Sequence, residues 1–169
     1  MAKLMDIVSF DFESSKAKEY GFSSVLVLGK DIHAHQPTEH IATRPAMARS
    51  SDAEQLKRTA KFFDLIYLTT YETDVALLAV AAAKEKPMLI SISDIIEKEG
   101  LQKAIAINRV SRFIKFCKSY KVQIRIATLA SNQLGARTAE EIVAVCSLLG
   151  LDKKETEKAM GPLSVCNED

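Results

Sequence analysis

The chain has 169 residues, 47 % apolar and 27 % charged, which is enough for one domain with a sizeable core. No apolar run approaches the roughly 20 residues that span a bilayer, and Met1 to Phe10 contains Asp6 and lacks a cleavable signal pattern, so the expectation is a cytoplasmic protein without a membrane partner. Charge is unevenly spread: Gly100 to Ala139 holds eight of the 23 basic residues and no Asp or Glu, leaving 15 basic against 22 acidic residues elsewhere, a net −7. Such asymmetry points to a polyanionic partner, often a nucleic acid.

In chain order, Leu4 to Phe10 reads as a strand, Ser14 as the cap of a helix through Tyr20, and Gly21 as the residue after the helix, where a positive φ costs little. Val25 to Leu28 is a continuous apolar run, the pattern of a strand buried on both faces. Gly29 to Ser51 holds Pro37, Pro45 and all three histidines and reads as a long loop with a short strand near Ile41. Ser51 or Asp52 caps a helix to Phe62. Asp64 to Thr69, an alanine-rich helix from Thr73 or Asp74, Pro87 and Met88 to Ile92 make a βαβ unit. Ser93 or Asp94 caps a short helix ending near Gly100.

A longer helix, about Leu101 to Tyr120, carries the apolar stripe Val110, Phe113, Ile114 and Cys117, with Arg112, Lys115 and Lys118 opposite. The strand Val122 to Ala127 follows, then a loop, then a helix from Thr138 to Leu149 ended by Gly150, and a last helix capped by Asp152. The alternation predicts an α/β fold with a mainly parallel sheet. The expected domain is 1–163, with 164–169 as a frayed tail.

The basic stretch is the first candidate site. Ordinary exposed helices mix both signs, so an uninterrupted positive run favours phosphate contacts by Arg109, Arg112, Lys115, Lys118, Lys121, Arg125 and Arg137. Phe113 and Phe116 read as core residues. The loop offers further contacts at His33, His35 and Arg44. Asp31-Ile32-His33-Ala34-His35 also has the spacing of a metal-ligand pair on an extended segment, which keeps a metal-dependent phosphoesterase as an alternative; His40 is the one other imidazole, and no metal site is assigned. A protein-only interaction scaffold is the other alternative. Cys117, Cys146 and Cys166 are odd in number and far apart, fitting neither disulfides nor a zinc site; Cys117 and Cys146 read as buried thiols. Phosphate-loop and nucleophile-elbow motifs are absent from the sequence.

The order of segments resembles a family. Phe10-Asp11 after the first strand, the helix-Gly21-strand, Phe63-Asp64-Leu65-Ile66-Tyr67-Leu68 before an alanine-rich helix, and above all Arg137-Thr138-Ala139-Glu140-Glu141-Ile142 leading to Ser147-Leu148-Leu149-Gly150-Leu151 are similar to ribonuclease P protein component 3, the archaeal and eukaryal p30-type subunit. The resemblance implies a TIM-barrel-like fold related to the PHP phosphoesterases without their metal ligands, here shortened. An eight-fold barrel takes about 250 residues, and only five strands are secure in the sequence. It implies a subunit of the ribonucleoprotein endonuclease that removes the 5′ leader of precursor tRNA. There the RNA does the chemistry with magnesium, so no catalytic residue and no protein-bound cofactor is expected. The implied partners are ribonuclease P RNA, precursor tRNA through the holoenzyme, and ribonuclease P protein component 2. Of the basic residues, the resemblance carries an RNA contact to Arg137 alone; the others rest on charge.

Overall fold

The computed structural model describes residues 3–36 and 45–163. Its strands are β1 (Met5–Val8), β2 (Ser24–Val27), β3 (His33–His35), β4 (Ala46–Ser50), β5 (Leu65–Leu68), β6 (Met88–Ser91) and β7 (Ile124–Ala127). Its α-helices are α1 (Ala53–Thr59), α2 (Val75–Ala83), α3 (Ser93–Ile96), α4 (Gly100–Ser119), α5 (Ala139–Leu148) and α6 (Lys153–Ala159), with 3-10 helices at Ser14–Tyr20 and Ala60–Phe62.

The pairing is parallel throughout the described strands. β1 and β2 form one pair and β3-β4-β5-β6-β7 a five-stranded sheet. Backbone hydrogen bonds join the two sheets at both edges. At one, the chain turns at Gly29–Asp31 and Leu28 bridges Ile32, handing the surface from β2 to β3. At the other, Leu129 N donates to Ile7 O (2.8 Å) and Ser9 N to Ala130 O (2.7 Å), joining the end of β7 to β1. The strands therefore form a curved, barrel-like array wrapped by helices, with β2 and β3 linked by the turn and not by strand pairing, a shortened TIM-barrel-like α/β fold as the sequence predicts.

Residue choice explains the elements. β5 and β6 are buried at every position, as runs such as Leu65-Ile66-Tyr67-Leu68 require between a barrel-like interior and a helix layer. The stripe Val110, Phe113, Ile114 and Cys117 is buried along α4, and Phe113 is among the largest fully buried side chains. Removing such a ring would cost about 3–5 kcal/mol. Asp52 caps α1 by accepting from Glu54 N (2.8 Å), and Asp74 caps α2 by accepting from Leu77 N (2.7 Å). Thr138 with Glu141 and Asp152 with Glu155 form complete capping boxes on α5 and α6. Gly21 has φ +81°, and a Cβ there would also meet Ala139 Cβ at 3.2 Å, so the turn lets the first unit sit against the start of α5.

The β1–β7 edge is held by a buried carboxylate. Asp6 Oδ1 accepts from Thr128 N (2.7 Å) and Ile7 N (2.8 Å), and Oδ2 from the Thr128 hydroxyl (2.6 Å). Burial outweighs these bonds and raises the Asp6 pKa to about 6.

Several expectations are corrected. Much of the expected loop from Gly29 to Ser51 is strand: β3 and β4 lie there, and β4 is anchored to β5 by Ala46 N donating to Asp64 Oδ2 (2.9 Å). The expected strand near Ile41 lies outside the described residues, as do Arg44, His40, Cys166 and the tail 164–169. β2 is mostly half-buried, because its outer face is covered by a short 3-10 helix. Ser14 caps nothing; Glu13 is the N-cap residue, without a side-chain bond. Gly100 begins α4 instead of ending α3.

Candidate functional site

The seven basic candidates divide by what their charges touch. Arg109, Arg112, Lys115 and Lys121 are exposed, and none makes an ion pair among the described residues. The three on α4 recur every third residue, about 4.5 Å of helix rise per step, so they form a stripe across its outer face. Arg109 and Arg112 line a cavity of about 420 Å³ with Tyr71, Glu72 and Asn108.

The other three are engaged by the fold. Lys118 pairs with Glu155 at 2.7 Å and donates to Gly150 O at 3.0 Å, and the Lys118 bond, with the Asp152 N–H, lowers the Glu155 pKa. Arg125, half-buried on β7, donates to Gly161 O, so its guanidinium clasps the segment after α6. Arg137 Nη1 donates to Leu134 O (2.7 Å) and Ala136 O (2.8 Å), bracing the loop before α5. The partners of Lys118 and Arg125 lie 32 to 37 residues away in sequence and cannot be read from a charge count.

The histidine pair sits on β3, with His33 beside Ala46 and His35 beside Ala48 in register. Their ring centroids are 6.4 Å apart, and His35 lies 6.3 Å from Phe63. Asp31 turns away from them: its Oδ2 accepts from Val27 N at 2.7 Å and stabilises the turn between β2 and β3. Among the described residues no three His, Cys, Asp or Glu side chains come together as metal ligands.

A third region escapes the sequence reading. At the C-terminal ends of the strands, where barrel enzymes place their sites, lies a cavity of about 280 Å³ lined by Ser9, Arg49, Tyr67, Ser93, Asp94 and Glu97 among others. Tyr67 and Tyr71 both donate to Asp94 Oδ2, at 2.5 and 2.7 Å, and the Tyr71 oxygen accepts from Ser91 N at 2.8 Å. Burial, with the Asp94 carboxylate adding to it, raises both phenol pKa values, so the hydroxyls stay protonated donors. The Arg49 guanidinium carbon lies 5.5 Å from the Tyr67 ring centroid. Arg49 could have been found: Ala46-Met47-Ala48 followed by Arg49-Ser50-Ser51-Asp52 is a short apolar run running into a helix cap, which puts Arg49 at a strand end.

Cys117 and Cys146 are fully buried, and burial pushes both thiols up to about 12, so neither supplies a thiolate nucleophile. No described helix is long and apolar enough to cross a membrane.

No protein-family model matches the sequence, and no curated protein matches it significantly. Among solved structures, the chain is similar to a chain of the cryo-EM structure of archaeal ribonuclease P with mature tRNA. The TM-score is 0.66 at 14 % identity, covering 92 % of this chain and 76 % of that one. The shared feature at this identity is the fold: an α/β barrel-like domain.

Proposed function

We propose that this chain is a protein subunit of ribonuclease P, equivalent to protein component 3, and that it helps the ribonucleoprotein remove the 5′ leader of precursor tRNA. The observation that carries the reading is the fold shared over 92 % of the chain with a chain of an archaeal ribonuclease P structure. The segment order and the Arg137 to Leu151 motif in the sequence support it independently.

The chemistry asked of such a subunit is electrostatic. Arg109, Arg112, Lys115 and Lys121 present exposed charges without carboxylate partners among the described residues, suited to phosphate contacts that release counterions and read structured RNA by backbone and shape. Positive charge placed between RNA segments lowers their repulsion, which reduces the magnesium that folding and cleavage need. The RNA supplies the catalytic centre and its magnesium. Protein component 2 is the proposed protein partner.

The test is reconstitution. The chain, protein component 2 and ribonuclease P RNA are combined, and precursor-tRNA cleavage is followed against magnesium. Activity at magnesium levels where the RNA alone is inert supports the reading. An unchanged magnesium curve, with no RNA binding, overturns it.

A further inference from the structure

We infer that the cavity at the C-terminal ends of the strands binds a 5′-phosphorylated ribonucleotide unit, with the phosphate at Arg49 and the ribose hydroxyls at Asp94 and Glu97. This inference does not rest on the ribonuclease P reading.

The cavity has features that the fold alone does not use. Arg49 reaches its rim with no ion pair among the described residues; Tyr67 holds the cation over its ring and leaves its charge uncompensated. Ser93 lies in the wall beneath this space, about 94 % buried, and its Oγ has no hydrogen-bond partner among the described residues. Asp94 is fixed by two tyrosine hydroxyls on a single oxygen, Oδ2. The wall is thus rigid before anything binds.

The charge pattern selects the ligand. One cation and two carboxylates face the same space, so a bare oxyanion meets net repulsion. A metal ion lacks a third side-chain ligand among the described residues. The complement is a molecule with one anionic group and neighbouring hydroxyl donors. A ribose phosphate has that arrangement, and carboxylates commonly accept from ribose hydroxyls in nucleotide sites. A volume of about 280 Å³ is at the lower end of small-ligand pockets, enough for the ribose phosphate with the base towards the open rim.

The test is calorimetric titration of the purified chain with AMP, 2′-deoxy-AMP, adenosine and inorganic phosphate. AMP should bind with a Kd on the order of 100 µM. Removal of either the 2′-hydroxyl or the phosphate should weaken it about tenfold, and inorganic phosphate alone should bind more weakly still. Arg49→Gln should bring AMP down to the level of adenosine, and Glu97→Gln should bring it towards 2′-deoxy-AMP. Both positions are exposed, so the thermal midpoint should hold and a loss of binding would not be a loss of fold. No AMP binding at millimolar concentration, equal binding of AMP and adenosine, or an Arg49→Gln variant that binds as wild type would each overturn the assignment. Phosphate binding as tight as AMP would overturn its ribose half. Dinucleotides with and without a 5′-phosphate separate the sources. Tighter binding of the phosphorylated one identifies an RNA end, and binding of AMP alone identifies a free nucleotide; either result upholds the site.

Discussion

The two ends of the barrel-like array treat their polar groups in opposite ways. At the N-terminal end of the strands and along the β1–β7 edge they are consumed by the fold: Arg125 holds Gly161 O, Lys118 holds Glu155, and Asp6 holds Thr128. At the other end, Ser93 Oγ has no hydrogen-bond partner and Arg49 no ion pair among the described residues, and on the outer face of α4 Arg109, Arg112 and Lys115 make no ion pair either. A basic residue is therefore no evidence of a nucleic-acid contact until its own chain's acceptors have been accounted for. Charges already committed to carbonyls and carboxylates stabilise the scaffold; the uncommitted ones are left for a ligand.

The strongest test of this division is at Asp6. Its folded pKa, about 6, lies above the usual value of 3.8, so the folded state binds the extra proton. Below pH 4 both states are protonated and the group is neutral to stability. Between pH 4 and 6 its contribution falls, and above 6 the loss is complete, on the order of 3 kcal/mol at 1.36 kcal/mol per pKa unit. Asp6→Asn keeps a carbonyl acceptor for Thr128 N and removes the ionisation. Urea melts of both proteins from pH 4 to 7 should show the variant gaining on wild type by that amount. Parallel pH curves would mean that Asp6 titrates normally.

Arg125→Met should come next. It keeps the aliphatic packing and removes the donor to Gly161 O, leaving a charge-assisted hydrogen bond unmade at a cost of about 2 kcal/mol. For a domain of this size that corresponds to a fall in Tm of roughly 4–8 °C. An unshifted midpoint in differential scanning calorimetry would remove Arg125 from the structural set and return it to the RNA candidates.

The smallest effect on stability belongs to the α4 stripe. Arg112→Ala with Lys115→Ala should change stability by no more than about 0.5 kcal/mol. The same pair should lower the slope of log affinity against log salt for ribonuclease P RNA by about two, one for each phosphate that is no longer neutralised. A slope equal to wild type would show that the stripe faces solvent in the complex.

Legibility follows the range of the interactions. Elements that depend on neighbours a few residues away were readable: the α4 stripe at i, i+3, i+4 and i+7, the Thr138 and Asp152 caps, and the buried runs of β5 and β6. β3 and β4 were not. His33-Ala34-His35 and Ala46-Met47-Ala48-Arg49-Ser50 have little strand propensity of their own and take their conformation from pairing with each other and with β5. The same limit hid the mouth, where Arg49, Tyr67, Ser93 and Asp94 come from three separate strand ends. It also hid the division among the basic residues, since the acceptors for Lys118 and Arg125 lie before, on and beyond α6.

The bond from Met5 N to Met160 O, 2.7 Å long, sets a timetable for synthesis. β1 is made before the other described elements, yet this backbone partner is made 155 residues later. At the usual 5–20 residues per second, that is a wait of roughly 8–30 s. For most of that interval, until the end of β7 emerges to join it, β1 has only β2 beside it in a two-stranded pair, marginal in water by itself, with an open edge that any other extended chain could pair with. The nascent chain is therefore exposed to mispairing until β7 emerges, and a chaperone acting on it has β1 to guard.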